Sequence, residues 1–170
     1  MLFRSEKFIA ADAGITGANF LIADTGSVAL TENEGNGVLT YSLPKIHLAV
    51  AGIEKIIPSI RDLDLFWPLL ATHGTGQNMT VYNSIISGPR QNGEIDGPSE
   101  MYLVLLNNGR TELLRHKEQR RSLSCIRCGA CLNACPVYKN IGGYTYNTTY
   151  TGPIGAVISP HLQGDRKSVV

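Results

Sequence analysis

Cysteine is missing from the first 124 residues of this chain and from the last 35; all four lie between Cys125 and Cys135. Such crowding argues against a disulfide framework spread along a secreted domain and points to a metal centre. Long apolar runs are also missing. The longest, such as Leu48 to Ile53, fall far short of the roughly 20 residues needed to cross a bilayer. The N-terminal MLFRSEKFIAAD has no apolar core of export-signal length, because Glu6 and Asp12 interrupt it, so the expected location is the cytoplasm. Charge of one sign is lacking too. Fifteen basic and fourteen acidic residues leave a net charge of +1, and no basic stripe interleaves with aromatics, so nothing favours nucleic acid.

What is present is enough apolar material for a core: 43% of the 170 residues are hydrophobic and 17% charged, which argues against disorder. Asn19 to Asp24, a turn at Thr25-Gly26, and Ser27 to Thr31 read as a β-hairpin. Ile46 to Ala51 is a continuous apolar run fit for a buried strand. Pro58 to Thr72 repeats its apolar residues at helical spacing, with Pro68 predicting a kink or a shorter helix. Thr80 to Ser87 and Met101 to Leu106 read as strands on either side of the loop Gly88 to Ser99. Arg110 to Leu123 reads as a helix leading into the cysteines, and the charged stretch Arg115 to Arg121 marks a boundary. Strands mixed with helices predict an α/β layered domain, though a thin one.

The segment Cys125 to Pro136, CIRCGACLNACP, has the spacing C-x2-C-x2-C-x3-C-P of bacterial ferredoxins. A tight loop of this kind wraps three thiolates around three corners of one cubane, and Gly129 lets the backbone pass close to it. In two-cluster ferredoxins the fourth cysteine ligates the other cluster. Cys125, Cys128 and Cys131 therefore lack a distal partner here, and Cys135 lacks three companions. Three outcomes stay open: Cys135 joins a single cluster, a three-iron or solvent-ligated form assembles, or a partner motif lies on sequence outside this chain, which is the favoured reading. Structural zinc remains an alternative, although zinc sites usually separate two ligand pairs by a longer loop.

Other candidates are weaker. The glycines of Glu34-Gly35-Asn36-Gly37 allow backbone amides to converge on an anion, but the same residues make an ordinary turn. Lys45 and His47 are placed by strand alternation on one face, where they would bind a carboxylate or serve as an edge lysine and a satisfied core histidine. Ser87 to Arg90 offers an anion clamp through Arg90 or a plain surface loop. Tyr138, Tyr144, Tyr146 and Tyr150 either shield a cluster from water or cover a small module. Nothing in the sequence supports a nucleophilic triad.

Several segments together carry a family resemblance: ITGANFLIADTGS (Ile15 to Ser27), NEGNG (Asn33 to Gly37), LPKIHLAVAGIEKIIP (Leu43 to Pro58), SGPR (Ser87 to Arg90), DGP (Asp96 to Pro98), LLNNGR (Leu105 to Arg110) and CIRCGACLNACPVY (Cys125 to Tyr138). From about Glu6 to Leu162 the chain resembles the iron-sulfur subunits of bacterial L-lactate utilisation complexes, in which a lactate-utilisation (LUD) domain precedes a ferredoxin-type module. The resemblance implies a partial Rossmann-like α/β domain, similar to the sugar-phosphate isomerase and CoA-transferase fold, over residues 6–115. A small helical ferredoxin-type module, incomplete here, would follow over 116–163. It also implies L-lactate oxidation to pyruvate in a complex with two sister subunits, through two [4Fe-4S] clusters, with the second cysteine motif beyond this chain. The chain would belong to an oxidoreductase without being catalytic alone, and its electron acceptor stays open. A glycolate-type or other 2-hydroxy-acid oxidase is the alternative, as is a non-redox module with structural zinc. Residues 1–5 and 164–170 fit no part of the family pattern and are expected to be non-native ends.

Overall fold

The computed structural model describes residues 2–162, and side chains from residue 6 on. The expected non-native end at 164–170 lies outside the described residues, as does Met1. Leu2 to Ser5 belong to the first helix, α1 (Leu2–Ala10). The chain divides into two compact units, residues 1–68 with 78–106, and residues 69–77 with 107–170.

In the first unit, three strands form a parallel sheet in the order β1 (Ala13–Gly17), β4 (Ile46–Gly52) and β7 (Glu100–Leu106). A second, mixed sheet has the order β5 (Ile56–Ile57), β2 (Phe20–Ile22), β3 (Ser27–Glu32) and β6 (Tyr82–Ile86). The predicted hairpin is present as β2 and β3, antiparallel, with Ile22 opposite Ser27 and Gly26 at φ 65° in the turn. One apolar cluster joins the sheets: Ala49 and Ala51 of β4 pack with Leu21, Val28 and Ile86 of the second sheet. Burying a side chain such as Ile22 or Val28 contributes about 1.5–3 kcal/mol.

Two elements depart from the sequence reading in instructive ways. Strand β1 was not expected, because Gly14 and Gly17 weaken its local preference for extended structure. It exists through parallel pairing with β4 over five residues. Gly14 also admits the neighbouring helix α2 (Asn36–Ser42), since a Cβ there would lie 1.9 Å from the Thr40 carbonyl oxygen. The predicted helix at Pro58 to Thr72 starts later, as α3 (Leu63–Thr75), and runs on through Pro68. Ser59 opens a preceding 3-10 turn by accepting from the Arg61 amide, while its own amide donates to Asp62. The division between the units falls at Pro68 within α3.

His47 is buried in the first unit, with Nε2 2.7 Å from the Thr16 hydroxyl and Nδ1 without a partner. Burial lowers its pKa below the ordinary 6.5, because the imidazolium loses its hydration there. A folded pKa below the unfolded one means that the unfolded chain binds the extra proton first. Stability from this group is therefore present above about pH 6.5 and is lost as pH falls toward the folded value. Denaturant melts between pH 6.5 and about 5 should show the native chain losing more stability than His47→Gln over the same window. Equal pH slopes in the two proteins would remove His47 as the source.

The second unit is helical among its described residues. The predicted helix Arg110 to Leu123 is broken into α4 (Arg110–Arg115) and a 3-10 segment at Arg120–Ser124. Between Leu114 and Leu123 no apolar side chain offers a face to bury, and His116 turns extended, its amide closing on the Leu113 carbonyl. Three helices follow: α5 (Ala130–Ala134), α6 (Pro136–Ile141) and α7 (Gly152–Leu162). Leu113 and Ile158 are fully buried and make the centre of this small core.

Candidate metal centre

The cysteine loop begins where the 3-10 segment ends, with the Cys125 amide donating to the Ser122 carbonyl. The chain then passes through two left-handed positions, Arg127 at φ 66° and Gly129 at φ 82°. Gly129 caps α5, whose Leu132 and Asn133 amides close on its carbonyl, so Cys131 is held in the first turn. Asn133 ties the loop to α3 by donating to the His73 carbonyl at 3.2 Å, and the Cys128 carbonyl lies against Gly74.

Cys125, Cys128 and Cys131 line one cavity of about 630 Å³, whose other wall is Tyr150 with Ile154 and Val157 of α7. Gly152 lets α7 approach α5, because a Cβ there would meet the Leu132 side chain at 2.3 Å. Among the described residues no three metal-ligating side chains converge closely enough to hold a single metal ion, but the three half-buried thiols share one cavity and no atom lies within 4 Å of the position a Gly129 Cβ would take, which leaves room for a group as wide as a cubane. Cys135 is not among the lining residues. It caps α6, where its sulfur accepts from the Tyr138 amide at 3.5 Å and Pro136 follows at the first helical position. All four are free thiols.

The tyrosines separate in the same way. Tyr150 lines the cavity, Tyr138 and Tyr146 pair with ring centroids 6.0 Å apart, and Tyr144 is fully exposed, so it shields nothing. Tyr150 escaped distinction from the others in sequence because it lies 19 residues beyond Cys131 and reaches the cavity only through the fold.

The remaining sequence candidates do not converge. Gly35 caps α2 at φ 76°, and the amides of Gly37 and Val38 both donate to the Glu32 carboxylate at 2.7 Å. The amide convergence expected at Glu34-Gly35-Asn36-Gly37 is thus met from within by a strand residue, while Asn36 donates to Glu34. Lys45 is exposed and His47 buried, so the two are not presented together. Arg90 closes its own loop, its amide donating to the Pro98 carbonyl and its guanidinium to that of Ile95.

Among the described residues no helix is long and apolar enough to cross a membrane. The LUD domain family matches residues 2–106, and the 4Fe-4S dicluster domain family matches residues 121–168. Lactate utilization protein B of Bacillus velezensis is 51% identical over 94% of this chain and 33% of its own length, and its Bacillus subtilis namesake is 50% identical over the same shares. A protein of Escherichia coli K12 named uncharacterized electron transport protein YkgF is 51% identical, again over 94% and 33%. The chain therefore spans about a third of the length of these curated relatives. A crystal structure of a DUF162 family protein from Deinococcus radiodurans aligns over 59% of this chain and 57% of that one, at 22% identity and a TM-score of 0.44. With a LUD match over more than half its length and a cysteine-bearing segment matched by the dicluster family, the chain belongs to the LUD-domain family as an iron-sulfur protein with a [4Fe-4S] cofactor.

Proposed function

We propose that this chain is the electron-carrying part of a complex that oxidises L-lactate to pyruvate, with Cys125, Cys128 and Cys131 holding one [4Fe-4S] cluster and Cys135 serving a second. The observation that carries the reading is the cavity lined by three of the four cysteines, with the fourth committed to another helix start. The relatives' names supply the substrate and the electron-transport role.

When bound, the cluster supplies one-electron redox chemistry, at a potential set by net charge, hydrogen bonds and exposure. Lactate oxidation releases two electrons and two protons, so the bond-breaking step belongs to a site elsewhere in the assembly and this chain passes electrons singly. When the cluster is bound, Cys125, Cys128 and Cys131 would supply thiolate ligation and the apolar wall of α7 would limit water. Sister subunits and a downstream cysteine motif complete the reading.

The test is oxygen-free preparation of the full chain, followed by iron and sulfide analysis and visible spectroscopy. The expected protein is coloured, contains iron and acid-labile sulfide, and bleaches on reduction. A folded, colourless protein holding only zinc would overturn the proposal, because closed-shell zinc has no such band. In the assembled complex, lactate should reduce the chain's cluster and glycolate should not; the opposite preference would move the substrate to the glycolate-type alternative.

A further inference from the structure

Arg127 sits in a backbone conformation that costs an arginine energy and a glycine none, at φ 66°. Its side chain shows what this conformation provides. The guanidinium lies over the Tyr150 ring, 4.2 Å from the centroid. Tyr150 is in turn fixed from several sides. Its hydroxyl accepts from Nη2 of Arg110 at 3.2 Å, and Arg110 is only 5% exposed. Its carbonyl accepts from the Ser159 hydroxyl at 3.2 Å, and Gly155 admits that carbonyl so closely that a Cβ would lie 2.2 Å from it.

Arg127 and Tyr150 line the same cavity as Cys125, Cys128 and Cys131. A thiolate-ligated cluster is anionic and gains a further negative charge when reduced. A cation fixed in the wall of a half-enclosed cavity stabilises the reduced form more than the oxidised one.

We propose that Arg127, seated on the Tyr150 ring and steadied through it by Arg110, raises the reduction potential of the cluster held by Cys125, Cys128 and Cys131. Tyr150 and Arg110 act as positioning residues. The inference rests on the cluster assignment made above, and the experiment separates the two.

Potentiometric titration of the oxygen-free full chain, followed optically or by electron paramagnetic resonance, reads the potential directly. Arg127→Gln should lower the one-electron reduction constant at least tenfold, a shift of about 59 mV to more negative potential. Arg127→Lys keeps the charge and should stay within about twofold of the parent on the same scale. Arg115→Gln removes an equal charge from an exposed side chain on α4 and should leave the potential unmoved. Should Arg127→Gln fail to take up iron, Tyr150→Leu decides: removing the ring should lower the potential in the same direction. A cluster that assembles normally but keeps the parent potential in Arg127→Gln, or in Tyr150→Leu where the first variant fails, overturns this inference and spares the cluster assignment. A parent chain that binds no iron removes both.

Discussion

Cys128→Ala is expected to bring iron and sulfide to background while Cys135→Ala keeps its colour. Cys128 is the central thiol of the three that line the cavity, and its removal leaves a cubane with two protein ligands on that side. Cys135 is not among the residues lining the cavity and caps α6 through the Tyr138 amide, so its loss costs a helix cap and leaves the cavity's own donors in place. Replacing a cap typically costs about 1 kcal/mol, too little to unfold the unit. The pair of variants also separates the outcomes that the ferredoxin-like spacing leaves open. If Cys135→Ala loses iron as completely as Cys128→Ala, then Cys135 closes the same cluster. If both keep iron at the parental ratio, the cavity is not where the cluster sits.

Gly14→Ala should be the most damaging single methyl in the first unit. The added carbon would lie 1.9 Å from the Thr40 carbonyl oxygen and 3.0 Å from two further Thr40 atoms, one of them backbone. A flexible side-chain tip would swing aside, but a carbonyl inside α2 moves only if the helix moves, and α2 is tied to β3 through Glu32. Overpacking of this kind costs about 3 kcal/mol, which for a chain this long lowers the melting temperature by roughly 10 °C. Gly17→Ala, at the end of the same strand, has no atom within 4 Å and should melt close to the parent. Matching melting temperatures for Gly14→Ala and the parent would contradict the close approach of α2 to β1.

The contrast between what was and was not legible follows the range of the interactions. The β2–β3 hairpin could be read because alternation and a Thr-Gly turn are encoded within a dozen residues. Helix α2 could not, since Asn33 to Gly37 has the composition of a turn. Its start depends on a carboxylate from the preceding strand satisfying two amides that would otherwise lack intrahelical partners. The apolar run Met101 to Leu106 forms a strand as expected, but β7 lies at the edge of its sheet with Tyr102, Leu103 and Leu105 exposed. Apolar content marked the strand, and neighbouring layers decide its burial.

Residues 69–77 join the second unit although no change in composition marks them. The second unit resumes at Asn107, just before α4, which packs with α7.

By itself the sequence determined the chemistry of this protein, because four thiols within eleven positions and the bends between them are local properties of a short peptide. Only the tertiary structure decided which three of those thiols share a cavity, which tyrosine faces them and which arginine stands beside them. Those choices depend on contacts between residues far apart in the chain, made where Gly152 lets α7 close on Leu132 of α5.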